Sequence, residues 1–147
     1  MKKIVHCCLG LLAMLLCAGA GANEWNMATP YPDKTFHTEN IRKFAADIDQ
    51  ATAGKLKITV HSGGSLFKHP QIKRAVQTGQ VQAGEVFISI LGNEDPLFTV
   101  DSIPFLATDY QQAKKLWQAS RQFIEQRLAK DGLLLLYAVP WPARAFT

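Results

Sequence analysis

The spacing of apolar positions changes repeatedly along the chain, and each change marks an element. Trp25 to Thr29 reads as a short strand closed by Pro30 and Pro32. From Phe36 to Ala53, Ile41, Phe44, Ala45, Ile48 and Ala51 recur at helical spacing. Thr35 is the expected N-cap, with Thr38 as its rival, and Gly54 the left-handed stop. Lys55 to His61 alternates Leu56, Ile58 and Val60 against Lys55, Lys57 and Thr59, a half-exposed strand. After the Ser62-Gly63-Gly64-Ser65 loop a helix is predicted from Pro70 to Gly79, burying Ile72, Ala75 and Val76. Val86 to Leu91 is an apolar run of strand length, fit for a sheet covered on both faces, and Asn93 to Pro96 ends it. Val100 to Leu106 is a second apolar stretch, broken by Pro104. The longest helix runs from Tyr110 to Lys130, with Ala113, Leu116, Trp117, Ser120, Ile124 and Leu128 inward. Gly132 stops it, and Leu133 to Val139 follows as a buried strand.

Strands alternating with helices predict right-handed crossovers and an α/β fold with a mostly parallel sheet. Ligands of such sheets bind beyond the carboxyl ends of the strands. That rule selects the loops at Tyr31 to Thr35, Ser62 to His69, Leu91 to Asp95 and Pro140 to Arg144. No internal repeat or low-complexity segment is visible.

The N-terminus changes the picture by setting the compartment. Lys2 and Lys3 precede an apolar run from Ile4 to Ala18, and Ala20-Gly21-Ala22 offers small residues for cleavage. This is the layout of a secretory signal peptide over residues 1–22, too short for a comfortable membrane span. A mature chain of 23–147, not membrane-spanning once the signal is cleaved, is expected in the periplasm. Cys7, Cys8 and Cys17 all lie in the signal, so the mature chain holds no thiol and relies on a hydrophobic core. Lys2 and Lys3 leave as well, so 16 basic residues become 14 against 12 acidic ones, and the formal charge falls from +4 to +2. Such a balance, without basic runs interleaved with aromatics, excludes a nucleic-acid partner.

Enzyme signatures are scarce. There is no glycine-rich nucleotide fingerprint, no P-loop and no nucleophile elbow around Ser65 or Ser89. His61 and His69 flank the glycine loop, but without metal-ligand spacing they read as exposed loop histidines, and no metal or cofactor is expected. Glu94-Asp95 and Asp101 read as solvated turns rather than an acid–base pair. Glu85, at the head of an apolar run, faces either water or the cleft. A small exported α/β hydrolase using Glu85 or His61 is the alternative from another class, and a nonfunctional remnant a third.

Pro140-Trp141-Pro142-Ala143-Arg144 is the most pointed stretch. Two prolines fix the backbone after a predicted strand and present an indole and a guanidinium from one turn. Arginine grips a carboxylate through two parallel hydrogen bonds, and a neighbouring tryptophan excludes water from that contact. A surface arginine beside a core tryptophan fits the local sequence equally well.

Several segments, in order, resemble the extracytoplasmic solute-binding subunit of TRAP transporters, the dicarboxylate-binding type. They are Thr29-Pro30-Tyr31-Pro32, Gly54-Lys55-Leu56-Lys57-Ile58 with Gly64-Ser65-Leu66-Phe67, Gln77-Thr78-Gly79-Gln80-Val81, and Ser102-Ile103-Pro104-Phe105-Leu106. The resemblance spans essentially the whole mature segment. It implies a periplasmic-binding-protein-like lobe, no catalysis, and capture of a small organic acid, usually a carboxylate. The acid would pass to TRAP membrane permease subunits for sodium-coupled uptake. The resemblance implies ligand-facing roles for Phe87 and Arg144, and with Tyr31 and Trp141 from the loops beyond the strand ends these are the expected ligand-binding residues. Arg144 falls where many members place a cleft arginine, whereas the branch with a Pro-Trp-Pro turn tends to carry glutamine. Phe87 falls where sialic-acid-type members carry an acidic contact, which implies a less polar ligand than a sugar acid. Family chains run to roughly twice this length, with a second lobe carrying the arginine that pairs with the substrate. Residues 23–147 therefore resemble an incomplete first lobe, which implies exposed edge strands, open apolar surface and a tendency to aggregate.

Overall fold

A computed structural model describes residues 22–141. Three strands, β1 (Asn23–Ala28), β2 (Leu56–His61) and β3 (Ala83–Gly84), form one parallel sheet in the order β2-β1-β3. Helices α1 (Phe36–Ala51), α2 (His69–Gln77) and α3 (Tyr110–Lys130) complete the regular structure, with short 3-10 turns at Ile88–Leu91 and Pro96–Ser102. The α/β prediction holds, and the sheet is wholly parallel among the described residues.

The period-two alternation of β1 sends its last two residues to opposite layers. Met27 packs with Ile41 of α1 and Ala83, while Ala28 packs with Ile72 and Ala75 of α2 and with Val81. The crossovers from β1 to β2 and from β2 to β3 thus place α1 and α2 on opposite faces, as right-handed connections require when strand order reverses. A third cluster, Leu91, Phe98, Ile124 and Leu128, seats α3 on the 3-10 turns, and Val86 touches both this cluster and that of α2.

The helix ends follow local chemistry. Thr35 is the N-cap residue of α1, but its hydroxyl donates to the Pro32 carbonyl, and Thr38 donates to that of Tyr31. Both threonines thus tie α1 to the β1 loop. Asp109 caps α3 by accepting from the Gln112 amide at 2.8 Å. Gly54, Gly79 and Gly132 end the three helices with positive φ, where a side chain is strained.

Two predicted strands are corrected. The third strand is Ala83–Gly84, and the apolar run Val86–Leu91 instead enters a 3-10 turn. Among the described residues β1 is the only template for β3, and Pro30 ends it by offering no amide. The last backbone hydrogen bond between the two segments is Glu85 N–H donating to the Ala28 carbonyl at 2.9 Å. Leu133–Val139 also joins no ladder and is not a buried strand. Leu133 and Leu135 pack towards α3, whereas Leu134 is 82% exposed. Phe105 is 83% exposed as well, so the described residues leave open apolar surface.

One polar network was absent from the sequence reading. Lys73 of α2 is buried, and its ammonium donates to Glu94 and, at 2.6 Å, to Asp131 beyond α3. Arg127 pairs with Asp131 and Asp95, closing a staple between α2, the Leu91–Asp95 turn and the end of α3.

Candidate functional site

The first crossover runs from β1 to β2 and the second returns past β1 to β3, so the strand order reverses at β1, the place where such sheets form a ligand crevice beyond the carboxyl ends of the strands. Two short tracks run into it, Thr29 to Tyr31 from β1 and Glu85 to Phe87 from β3. They are joined at the base, where the fully buried Thr29 hydroxyl donates to Glu85 Oε2 at 2.5 Å. The Thr29 oxygen in turn accepts the Tyr31 amide at 3.3 Å.

Above this base the rings gather. Tyr31 stacks on His37 at 4.4 Å between centroids and meets His69 and Trp141 edge-on. Trp141 also meets His37 at 4.5 Å and Phe87 at 4.9 Å. Tyr31, Phe87 and Trp141, singled out from the sequence, are therefore brought into one cluster. Arg144 lies outside the described residues. His37, from the first turn of α1, and His69, which opens α2, were not anticipated as members. Their signal was only positional, each standing at the start of a helix that follows a strand.

His69 is half-buried rather than exposed, and its Nε2 accepts the Phe87 amide at 2.9 Å. That bond places the proton of the neutral imidazole on Nδ1. Burial holds both His37 and His69 below the ordinary imidazole range. Burial pushes the Glu85 carboxyl up, with the Thr29 hydrogen bond acting against it. Tyr137 is pushed up by burial and then by the charge of Glu85. Glu85 therefore does not stand in open water at a strand end.

The remaining candidates have other employment. His61 Nε2 lies 2.8 Å from Asn26 Oδ1. It ends β2, while Glu85 follows β3, so β1 stands between them and they are separated by about two strand spacings, roughly 9–10 Å. They form no catalytic pair. Glu94 and Asp95 serve the Lys73–Arg127 staple, and Asp101 accepts from Ser89. Among the described residues no group of three metal-capable side chains occurs, and no helix is long and apolar enough to cross a membrane. The rings of Tyr31, His37, Phe87 and Trp141 stand together as an aromatic wall. Two shallow grooves, along α1 and β2 and beside α2, include none of its rings.

The sequence profile of the bacterial extracellular solute-binding proteins, family 7, matches residues 27–143. A Bordetella pertussis extracytoplasmic solute receptor binding pyroglutamic acid, DctP7, is 50% identical, with a TM-score of 0.80 over 82% of this chain. A marine-metagenome TRAP solute-binding protein specific for pyroglutamate is 47% identical, with a TM-score of 0.81 over the same share. The C4-dicarboxylate-binding protein DctB of Bacillus subtilis is 37% identical over 73 residues, half of this chain. The chain spans about 40% of each of those two solved chains and 21% of the Bacillus protein. With four-fifths of its residues under the profile and its lobe superposing on two receptors at this identity, the chain belongs to family 7 of the bacterial extracellular solute-binding proteins, the solute receptors of TRAP transporters.

Proposed function

We propose that this chain supplies the first lobe of a periplasmic receptor that captures pyroglutamate, or a cyclic carboxylate of similar size, for a TRAP permease. The observation that carries the proposal is the aromatic wall of Tyr31, His37, Phe87 and Trp141 at the reversal of strand order. It is small, largely uncharged, and belongs to a lobe close to half identical with those of two pyroglutamate receptors. A five-membered ring covers such a wall without stranding hydroxyl groups on it, whereas a sugar acid would lose hydrogen bonds against Phe87. In this reading residues 1–22 direct export and are removed, residues 23–147 belong to the first lobe, and Arg144 grips the ligand carboxylate. The receptor releases its ligand to the permease without transforming it.

Titration calorimetry on the complete gene product containing this chain tests the proposal. Pyroglutamate is expected to bind with Kd near or below about 1 μM, an affinity of about 8 kcal/mol. Malonate, succinate and hexuronates are expected to bind at least about 100-fold more weakly, a difference of about 2.7 kcal/mol. Equal or tighter binding of a hexuronate would overturn it.

A further inference from the structure

The two tracks that enter the crevice carry different chemistry at two heights. Tyr31 and Phe87 stand at the upper level, bridged by Trp141 with centroid distances of 5.7 and 4.9 Å. Thr29 and Glu85 stand two residues lower, at the level of the last ladder bond. The hydrogens at the lower level can be assigned. The Thr29 oxygen is occupied as acceptor by the Tyr31 amide, and its hydroxyl hydrogen is committed to Glu85 Oε2. Thr29 therefore has no donor left to offer a ligand. Thr29 is also the one hydrogen-bond partner of the Glu85 carboxyl group among the described residues, so Oε1 keeps its acceptor capacity. Among the described residues no cation pairs with the half-buried Glu85, which leaves its carboxyl group room for a donor from a ligand.

We infer that Glu85 is the specificity-determining residue of this receptor, reading a ring N–H of the ligand through Oε1 while the ring lies against Tyr31, Phe87 and Trp141. The inference rests on the reading of the wall as the ligand surface, and narrows the ligand class from cyclic carboxylates to those with an N–H in the ring, that is, lactams. Thr29 is a positioning residue, holding the carboxyl group through Oε2. The alternative polarity, a protonated Glu85 donating to a ring carbonyl, would make the N–H irrelevant.

The test compares pyroglutamate with the corresponding γ-lactone carboxylate, in which a ring oxygen replaces the N–H, on the complete gene product. Wild type should prefer the lactam by about 10- to 100-fold, the range of one hydrogen bond to a charged acceptor. Glu85→Leu should bring the two ligands within about threefold of each other, mainly by weakening the lactam. Glu85→Gln is the sharper variant. Thr29 still demands an acceptor, so the amide oxygen turns to it and the NH₂ faces the ligand. The preference should then reverse towards the lactone. Retained lactone binding shows that each variant is folded. A lactam preference unchanged in both variants overturns this inference and leaves the receptor assignment standing, as does equal wild-type affinity for lactam and lactone. Wild-type protein that binds neither overturns both.

Discussion

Gly84 is where a single added methyl should test the packing that sets this crevice. It is one of only two residues of β3, and its φ lies outside the left-handed region, so the backbone accepts alanine. The obstacle is steric. A Cβ there would stand 2.5 Å from Ile72 Cγ2 and 3.1 Å from Val76 Cγ2, against a comfortable carbon–carbon separation of about 3.5–4.0 Å. Ile72 is fully buried among Ala28, Ala75 and Val81, so it cannot swing out into solvent. Overpacking of this kind costs about 1–3 kcal/mol, and the stiffer unfolded chain returns about 0.4–1 kcal/mol. Gly84→Ala should therefore destabilise by a net of about 1–2 kcal/mol. Ile72→Ala alone should cost about 2–5 kcal/mol as a cavity. Together the two changes should cost about 1–2 kcal/mol less than their sum, because the new methyl enters the space that Cγ2 vacates. Urea unfolding followed through Trp25, Trp117 and Trp141 supplies the four midpoints. A neutral Gly84→Ala, or strict additivity in the cycle, would refute the claim that the approach of α2 to β3 is at its limit.

Lys73→Met should destabilise by about 1–3 kcal/mol in urea unfolding, since Glu94 and Asp131 lose their shared donor while remaining partly solvated. The Lys73 ammonium is held above its ordinary range because its hydrogen bonds to Asp131 and Glu94 outweigh burial, so this loss should be insensitive to neutral and mildly alkaline pH. The thermal midpoint should fall as pH drops through about 6.5, because burial depresses His37 and His69 and their contribution is complete only above the ordinary imidazole value. Glu85 acts in the opposite sense, its raised value adding stability as pH falls, so His37→Phe should flatten the slope and Glu85→Leu steepen it. A slope indifferent to both changes would refute those assignments. Phe87→Ala should weaken pyroglutamate binding about 10-fold in calorimetry by removing one ring of the wall, and unchanged affinity would take Phe87 out of the site.

How far the sequence could be read depended on whether the deciding contact was local. α3 was legible end to end, since Asp109, the inward stripe through Ile124 and Leu128, and Gly132 all lie within one continuous period. β3 was not legible, because a strand's length is set by its partner. Pro30 cuts off the template more than fifty residues upstream of Val86–Leu91, and the run alone carries no trace of that. Leu133–Val139 failed for the same reason, as its period-two alternation survives in the packing of Leu133 and Leu135 while no strand stands beside it. The staple on Lys73 was hidden differently. A lysine inside an apolar helix stripe looks like a solvated face until Glu94 and Asp131 arrive from distant turns. The site shows both cases together. Trp141 stood out locally between two prolines and Tyr31 lay in a loop beyond a predicted strand end, whereas Phe87 was named only through the family resemblance. Thr29 and the ring partners His37 and His69 had no such mark, since their roles exist only where two strand ends and two helix starts converge. Glu85 lies between these cases. A carboxylate entering an apolar run is conspicuous, but whether it faces water or the crevice is decided by the Thr29 hydroxyl, fifty-six residues away. That is why specificity in this lobe is better sought in pairs bridging the reversal of strand order than in any single motif.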